Sequence, residues 1–350
     1  MISYRLASRE DNQQLIELTA ATGMEGETAL RIDRHPDFFT LLDRRGESRV
    51  FVALDGNQII GSLCVSLQKV WVGGQIETLH YVGDLKVIAS HRNQGIGLQL
   101  CNELANEIVP QGADLAFLNV ARGNNKPFAF FKNRPHIPDF DPIGIFKIQQ
   151  FIGRRKPVSD RHYEVKETPV SEELTCFLNR FYNKYELGPV ITKEQLEGSQ
   201  ILTIRDNNKI IAAMCLSDTM HMKQNVVLKL SMKLKWTLNI LNSLSGISGF
   251  SKMPVLHEPV RLLYIKYLAV DQYDRKLVKL LINQARHMVY KKSYSFASIG
   301  LHEKDPLLEC FSGMFKLSFY SVGMLLSIKN NRSLIEKVIH GIPFEDYSLV

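Results

Sequence analysis

The stretch Leu85-Lys86-Val87-Ile88-Ala89-Ser90-His91-Arg92-Asn93-Gln94-Gly95-Ile96-Gly97-Leu98-Gln99-Leu100 carries the strongest signal in this 350-residue sequence. An apolar strand ends in Leu-x-Val, a short loop follows, and Arg-x-x-Gly-x-Gly then opens a helix. Glycines let a backbone approach a phosphate closely, and the first amides of a helix attract negative charge. Arg92 adds a positive charge to the same loop. The pattern therefore predicts an anion-binding junction between a strand and a helix.

Two common phosphate-binding motifs do not fit this junction. A dinucleotide-binding fingerprint needs a third glycine and a strand that opens a βαβ unit, whereas the strand before Gly95 follows a hairpin. A P-loop needs Gly-Lys followed by Ser or Thr, which the stretch lacks. The structural alternative is that Gly95 and Gly97 only ease a tight turn.

An internal repeat organises the rest of the chain. Residues Ser48 to Ser66 recur as Ser199 to Ser217, with seven of nineteen positions identical, and each copy contains two apolar runs joined by a turn. Further along, Leu85-Lys86-Val87 corresponds to Leu268-Ala269-Val270. The repeat predicts two similar domains, residues 1–155 and 156–350, which meet at a basic, proline-containing stretch.

The second copy differs from the first at the anion-binding junction. The repeat places Val278 opposite Gly95 and Leu280 opposite Gly97, so branched side chains fill the space that a phosphate needs. Asp271 and Asp274 add negative charge beside the same place. We therefore expect the second copy to keep the fold without the anion site.

The second copy also contains extra residues near 220–255. Val227, Leu230, Leu234, Leu238 and Leu241 recur there at helical spacing and predict a basic amphipathic helix. Such a helix either packs against its own domain, which we favour, or contacts a membrane surface or a partner protein.

Composition and charge limit the classes of protein to which this chain can belong. The net charge of +7 arises beyond residue 155, where 26 Lys and Arg face 19 Asp and Glu, whereas residues 1–155 carry 17 of each. No nucleic-acid motif accompanies this excess, so we expect no nucleic-acid partner. The absence of a long apolar run or a secretory signal predicts a cytoplasmic protein. The five cysteines are odd in number and widely spaced, which predicts reduced core residues and no metal site.

Strand, Arg-x-x-Gly-x-Gly and amphipathic helix, placed after a helix and a hairpin, resemble the acetyl-CoA site of the GNAT superfamily of acyltransferases. The resemblance implies an α/β fold (α+β mixed sheet) of two tandem GNAT-like domains, each with a central, mostly antiparallel mixed sheet flanked by helices. It implies that Leu115 to Val120 form the neighbouring strand, which separates from the first to make the reaction cleft. The implied coenzyme contacts are Leu85, Lys86, Val87, Arg92, Asn93, Gln94, Gly95, Ile96, Gly97, Leu98, Asn124, Asn125 and Phe131.

Proton transfer at such a site needs a base for the amine and an acid for the departing thiolate. Phe131 stands where the family often has a tyrosine acid, so the candidate replacements are Tyr81, a water molecule or a residue from the other half. Glu77, His80 and Asp84 are the candidates for the base, with Asp84 preferred. Each also has a structural interpretation, as an edge charge, a buried side chain or a local hydrogen-bond acceptor.

The sequence thus predicts transfer of an acetyl group from acetyl-CoA to an amine by direct attack in a ternary complex. The alternative is a protein that binds acyl-CoA without turnover. The identity of the amine and the oligomeric state are not encoded in any motif of the sequence.

Overall fold

A computed structural model describes residues 1–23, 29–122, 139–230, 232, 235–238, 240, 242–243, 251 and 254–350. Its strands are β1 (Ile2–Leu6), β2 (Ala29–Asp33), β3 (Glu47–Asp55), β4 (Gln58–Val72), β5 (Gln75–Val87), β6 (Leu115–Ala121), β7 (Asp141–Ile152), β8 (Lys166–Glu167), β9 (Gly188–Pro189), β10 (Gln200–Asp206), β11 (Lys209–Asp218), β12 (Gln224–Lys229), β13 (Pro259–Val260), β14 (Leu262–Val270), β15 (Phe296–His302) and β16 (Lys316–Ser327). Its helices are α1 (Asn12–Ala21), α2 (Phe39–Arg45), α3 (Ile96–Ile108), α4 (Glu172–Tyr182), α5 (Lys193–Leu196), α6 (Arg275–Lys291), α7 (Leu307–Cys310) and α8 (Arg332–His340).

One large mixed sheet runs through both halves of the chain. Its strand order is β1-β3-β4-β5-β6-β16-β7-β15-β14-β11-β10-β8, and β9 pairs with β4. Antiparallel pairs dominate, while β5–β6 and β14–β15 are parallel. The predicted mixed α/β fold with two related halves is confirmed, and the two sheets are joined into one.

The hairpins of the internal repeat match in detail. In the first hairpin the β3–β4 register shifts between Ala53 and Leu54, and in the second the β10–β11 register shifts between Ile204 and Arg205. These positions are equivalent in the repeat. A bulge bends its strand and re-aims the side chains beyond it. The repeated stretch therefore specifies the same local distortion twice.

The two halves exchange their last strands. β16, from the end of the chain, lies between β6 and β7, whereas β7, from the first half, lies between β16 and β15. Val120 of β6 thus pairs with Val322 of β16, and Ile148 of β7 pairs with Gly300 of β15. The boundary that we predict near residue 155 stays a prediction, because each half of the sheet contains a strand from the other part of the chain.

The extra residues near 220–255 depart from the predicted helix at their start. Residues 224–229 form β12, which pairs with β2 of the first half and with β13 in a second small sheet. Val227 therefore belongs to a strand, because cross-strand pairing with Leu30 overrides the helical spacing of the apolar residues. Helical residues follow between 232 and 243. There Leu238 is buried, whereas Met232, Trp236 and Ile240 are exposed.

Apolar cores lie on both faces of the large sheet. On one face of the first half, α3 packs on β3 to β6, and on the other face α1 and α2 cover β3 and β4. In the second half, α4 and α6 enclose the sheet. Four cysteines are buried as predicted, but Cys176 is exposed, because it lies on the outward side of the amphipathic helix α4. Within the described ranges, the helices are too short or too polar to cross a membrane.

Candidate functional site

The parallel strands β5 and β6 separate in the middle of the sheet. They pair only from Leu79–Leu115 to Tyr81–Phe117, although β5 continues to Val87 and β6 to Ala121. Beyond Tyr81 the edge of β5 that faces β6 is therefore released from β6. The separation that the resemblance implied is present, and it leaves an opening through the sheet.

A bulge in β5 lies beside this opening. β4 pairs Ser62 with Lys86 and Cys64 with Gly83, so Asp84 and Leu85 together face the single residue between Ser62 and Cys64. Asp84 has a positive φ of 53°, and its carbonyl accepts a hydrogen bond from the Ser62 hydroxyl at 3.2 Å. The bulge re-aims the backbone at Leu85, where the sequence predicted a coenzyme contact.

The loop after β5 brings the predicted phosphate ligands to the start of α3. Gly95 is the N-cap of this helix, has a φ of 79°, and has open space where a side chain would stand. Among the described residues no side chain caps the helix, so the amides of Ile96, Gly97 and Leu98 in its first turn have no partner within the helix. Arg92 braces the loop through a 3.2 Å hydrogen bond from its Nε to the carbonyl of Val87. The junction has the geometry that anion binding requires.

Other predicted coenzyme residues surround this junction. Asn93 has a positive φ of 64°, and the side-chain amide of Gln94 donates to the Ser90 carbonyl at 3.2 Å. The Lys86 ammonium donates to the Thr22 carbonyl at 3.4 Å. Burial lowers the pKa of Lys86, against the opposing effect of Asp84. These contacts fix the loop and the end of β5.

Asp84, the preferred base, is held in a buried ion pair. Its carboxylate lies 2.6 Å from the guanidinium of Arg34, whose side chain is 1% exposed. Burial raises the pKa of Asp84, but Arg34, Lys86 and Arg45 outweigh it, so the pKa is lowered. A carboxylate of lowered pKa is a weak base, and the arrangement suits a fixed negative charge better.

The other two candidates for the base lie apart from the opening. His80 is 1% exposed, its pKa is lowered by burial, and its Nε2 has no hydrogen-bond partner within the described part of the chain. Neighbouring residues of a strand point to opposite faces, so His80 and Tyr81 do not share a face. Glu77 stands near the start of β5, opposite Val70.

Tyr81 lies near an acidic residue that sequence analysis missed. This residue is Glu345, which follows α8 near the end of the chain. The Arg45 guanidinium lies over the Tyr81 ring at 4.3 Å. Burial raises the pKa of Glu345 to about 8, while Arg45 acts in the opposite direction. Burial also raises the pKa of Tyr81 well above its usual value, so this phenol remains protonated.

A cavity of about 320 Å³ lies between the two halves on the Tyr81 face of the sheet. β4, β5, β6 and α2 supply one side, and β14 with the segment after α8 supplies the other. Tyr81, Phe117, Tyr267 and Glu345 are among its lining residues. The cavity therefore meets the opening between β5 and β6 at Tyr81 and Phe117, the last residue pair before the strands separate.

The second half has the same opening, but its own side chains fill it. β14 and β15 pair only from Leu262–Phe296 to Tyr264–Ser298 and then separate. The Tyr182 hydroxyl occupies this place, accepting from the Leu268 amide at 2.9 Å and donating to the Leu268 carbonyl at 3.2 Å. Leu268 is the counterpart of Leu85 in the repeat. Its backbone groups are thus already satisfied.

The amides at the start of α6 are likewise bonded by a side chain of the protein. The Asp274 carboxylate caps this helix, accepting from the amides of Lys276 at 2.7 Å and Leu277 at 3.2 Å. Val278 and Leu280, opposite Gly95 and Gly97, are buried in the core. A carboxylate of the protein therefore caps the start of α6, whereas Gly95 offers no side chain to cap α3.

Comparison with known proteins identifies the first half. Residues 13–134 match the model of the acetyltransferase (GNAT) family. The chain contains a GNAT-family domain. No curated protein sequence matches the chain.

Several solved structures share the fold over both halves of the chain. A glucosamine N-acetyltransferase region of a fungal multi-domain GH3 β-N-acetylglucosaminidase is 18% identical, with a TM-score of 0.64 over 93% of this chain and 38% of that chain. Saccharomyces cerevisiae N-myristoyltransferase with bound myristoyl-CoA is 10% identical, with a TM-score of 0.61 over 93% and 78%. A GCN5-related N-acetyltransferase from Anabaena variabilis ATCC 29413 is 11% identical, with a TM-score of 0.53 over 94% and 73%. At these identities the likeness shows the fold alone.

The GNAT assignment makes N-acyl transfer the class of reaction that the chain supports. The predicted residues Asn124, Asn125 and Phe131 lie outside the described residues, so their contacts in the GNAT domain stay predictions. Sequence analysis missed Arg34, Arg45 and Glu345. No motif surrounds them, and each stands directly beside another charged residue, so its charge alone does not single it out.

Proposed function

We propose that this GNAT protein transfers an acetyl group from acetyl-CoA to an amine by direct attack in a ternary complex. The observation that carries the proposal is the opening between β5 and β6, which lies next to the uncapped start of α3 at Gly95. The bulge at Asp84 and Leu85 stands at its edge. This arrangement suits a thioester that enters from the α3 side while its phosphates contact the amides of Ile96 to Leu98.

The predicted donor contacts serve distinct roles in this proposal. The backbone of Leu85 and Val87 binds the pantetheine arm, and the Leu85 amide stabilises the oxyanion of the transition state. Gly95 leaves room for the pyrophosphate, and Arg92 braces the loop that holds it. Acetyl rather than a longer acyl group is our proposal for the donor.

Tyr81 and Glu345 supply proton transfer on the cavity side. The Glu345 carboxylate takes one proton from the ammonium form of the acceptor, and the free amine attacks the thioester carbonyl. When the carbon–sulfur bond breaks, Tyr81 gives its phenolic proton to the thiolate and regains one from Glu345. The second proton of the ammonium group leaves to solvent. The position of Tyr81 and Glu345 in the lining of one cavity supports this relay.

Asp84 has a supporting role in the same proposal. Its charge pairs with Arg34 and offsets the nearby cations Lys86 and Arg45. It therefore helps to hold the bulge in place rather than to accept the proton of the substrate.

Calorimetric titration of acetyl-CoA tests the donor site. We expect one-to-one binding to the wild-type protein and loss of binding in the double variant Gly95→Val/Gly97→Leu, which carries the residues of the second half. The matched control is Gly112→Val, because Gly112 has the same φ of 79° and the same open space but lies beyond the other end of α3. Undiminished binding in the double variant, or equal loss in the control, contradicts the proposal.

A turnover assay separates the enzyme from the alternative, an acyl-CoA-binding protein without activity. Release of CoA that depends on an added amine supports the enzyme, and slow release that ignores the amine supports the alternative. A cytoplasmic location, the absence of a nucleic-acid partner, and contact of residues 220–250 with a membrane or protein remain predictions outside this test.

A further inference from the structure

The cavity at Tyr81 is lined by more positive than negative side chains. Its cations are Arg44, Arg45, Lys69 and Lys266, and its acids are Glu345 and Asp346. Because burial raises the pKa of Glu345 to about 8, this carboxyl is mostly uncharged near neutral pH. The cavity therefore has an excess of positive charge.

Three of these cations lack a carboxylate partner. Lys266 lies 4.0 Å from Asp346, but Arg44, Arg45 and Lys69 take part in no ion pair with any residue that the structure describes. Arg45 is 6% exposed, and its Nη1 has no hydrogen-bond partner among those residues. A buried donor without a partner is costly, so such an atom is normally satisfied by water or by a ligand.

A carboxylate oxygen of the cavity also lacks a hydrogen-bond partner among the described residues. Asp346 Oδ1 accepts hydrogen bonds from the amide of Ser348 at 3.0 Å and its hydroxyl at 2.6 Å. Asp346 Oδ2 is buried and has no hydrogen-bond partner within the described ranges. The cavity thus offers a carboxylate oxygen without a hydrogen bond, 4.0 Å from the Lys266 ammonium, and an Arg45 donor without one. A ligand that bonds to both contains a donor group and an acceptor group.

We infer that the acceptor is a small primary amine that itself carries a carboxylate or a phosphate. The inference rests on the proposed function, because the amine must lie at Tyr81 and Glu345 to reach the thioester. The anionic group then extends toward Arg44, Arg45 and Lys69. A volume of about 320 Å³ is near the lower end for ligand sites, and it fits a compact molecule.

Paired acceptors of similar size test this inference, because one member of each pair carries an anion and the other does not. Glycine is compared with glycinamide for the carboxylate, and glucosamine 6-phosphate with glucosamine for the phosphate. Putrescine serves as the dicationic amine and a short peptide as the large one. We expect at least a tenfold higher kcat/KM for the anionic member of a pair, and the better pair identifies the kind of anion.

Two charge variants locate the contact. We expect Lys69→Gln and Arg44→Gln each to raise KM for the anionic amine about tenfold, the effect of one lost charge contact, without changing the affinity for acetyl-CoA. The control Lys209→Gln removes an exposed lysine from β11, which does not line the cavity. An equal KM for the three variants overturns the inference.

The outcomes distinguish this inference from the proposed function. If acetyl-CoA does not bind, the proposed function itself fails. If acetyl-CoA binds and the neutral or dicationic amines match the anionic ones, only the inference is overturned. Failure of every anionic amine to react, or to shift the melting temperature of the acetyl-CoA complex, overturns the inference too.

Discussion

The two strand-to-helix junctions of this molecule share a fold and differ in what occupies them. In the first half, Gly95 leads into α3 without a side-chain cap, and the bulge at Leu85 lies at the edge of an opening in the sheet. In the second half, Asp274 caps α6 and Tyr182 satisfies the backbone of Leu268. The opening in the sheet is present in both halves.

The difference shows how one fold can present backbone groups in one half and satisfy the corresponding groups with its own side chains in the other. A helix start and a separated strand present backbone groups that need partners. The second half supplies them from its own side chains, so no ligand is needed for stability. At the position that matches Tyr182, the first half has Gly23, since Leu15 and Gly23 are spaced as Leu174 and Tyr182 are. The first half thus lacks the ring that fills the second opening.

The substitution Gly95→Asp should have the largest effect, because it places a carboxylate at the N-cap of α3, as Asp274 does at α6. A carboxylate about 4 Å from a phosphate costs on the order of 4 kcal/mol near a protein surface, so we expect acetyl-CoA affinity to fall roughly 1,000-fold. Calorimetry measures this loss. Gly95→Asn is the control, because it has a similar shape without the charge. An equal loss in both variants would mean that shape rather than charge decides.

Glu345→Gln tests the part of the cavity that the end of the chain adds to the first half. We expect kcat to fall about 100-fold, the lower range for loss of an acid–base group. The wild-type rate should rise with pH through about 8, as Glu345 ionises, and the variant should lack this rise. Glu186→Gln is the control, because Glu186 also has a pKa raised by burial but lies outside the cavity.

The stability of the same variant has a predictable sign. Folded Glu345 keeps its proton up to about pH 8, whereas the unfolded chain releases it near the usual value of 4.5. This group therefore lowers the stability of the wild type as pH rises through that window. We expect Glu345→Gln to melt at a higher temperature than the wild type at pH 9. A lower melting temperature would show that the carboxyl is mainly structural.

Tyr182→Phe tests whether the Tyr182 hydroxyl in the second half has only a structural role. Removal of the hydroxyl leaves the buried Leu268 amide and carbonyl without this partner, which should cost about 1–3 kcal/mol of unfolding free energy. Urea denaturation measures the loss, and acetyl-CoA affinity should not change. Tyr163→Phe, on a partly buried ring of the same core, is the control. A change in acetyl-CoA affinity would place a coenzyme contact in the second half.

Asp274→Ala has the smallest expected effect. Loss of the cap of α6 should cost about 1 kcal/mol of unfolding free energy. It should create no second acetyl-CoA site, because the Tyr182 hydroxyl still occupies the backbone groups of Leu268. A calorimetric stoichiometry of two would contradict that view, and Asp274→Asn, which can still cap the helix, serves as the control.

The sequence predicted the parts of the fold that local patterns encode. Both hairpins, the strand at Leu115 and the helix after Gly95 follow from turn residues, apolar periodicity and glycine positions. The strand at residues 224–229 was wrongly predicted as helix, because a short apolar run fits either period and only pairing with β2 decides. No local sequence pattern indicates that β7 and β16 are exchanged between the two halves of the sheet.

The cavity was harder to predict than the donor site. A donor site made of backbone amides needs glycines at fixed spacing, and such spacing is readable. The cavity instead brings Arg45, Tyr81 and Glu345 together from distant parts of the chain. Nothing near Glu345 in the sequence reveals that it will meet Tyr81. Sequence analysis selected Asp84 as the base. Its pKa is raised by burial and lowered more strongly by Arg34 and other cations that the sequence does not place beside it.

The exchange of the last strands has a consequence for biosynthesis. Val120 of β6 pairs with Val322 of β16, about 200 residues later in the chain. During synthesis, this edge of β6 therefore stays unpaired until β16 has left the ribosome. An open strand edge invites pairing with other nascent chains, and contacts so distant in sequence form slowly. A fragment that stops at residue 155 would keep this edge exposed. We therefore expect the first half expressed alone to aggregate, and co-expression with residues 156–350 to rescue it.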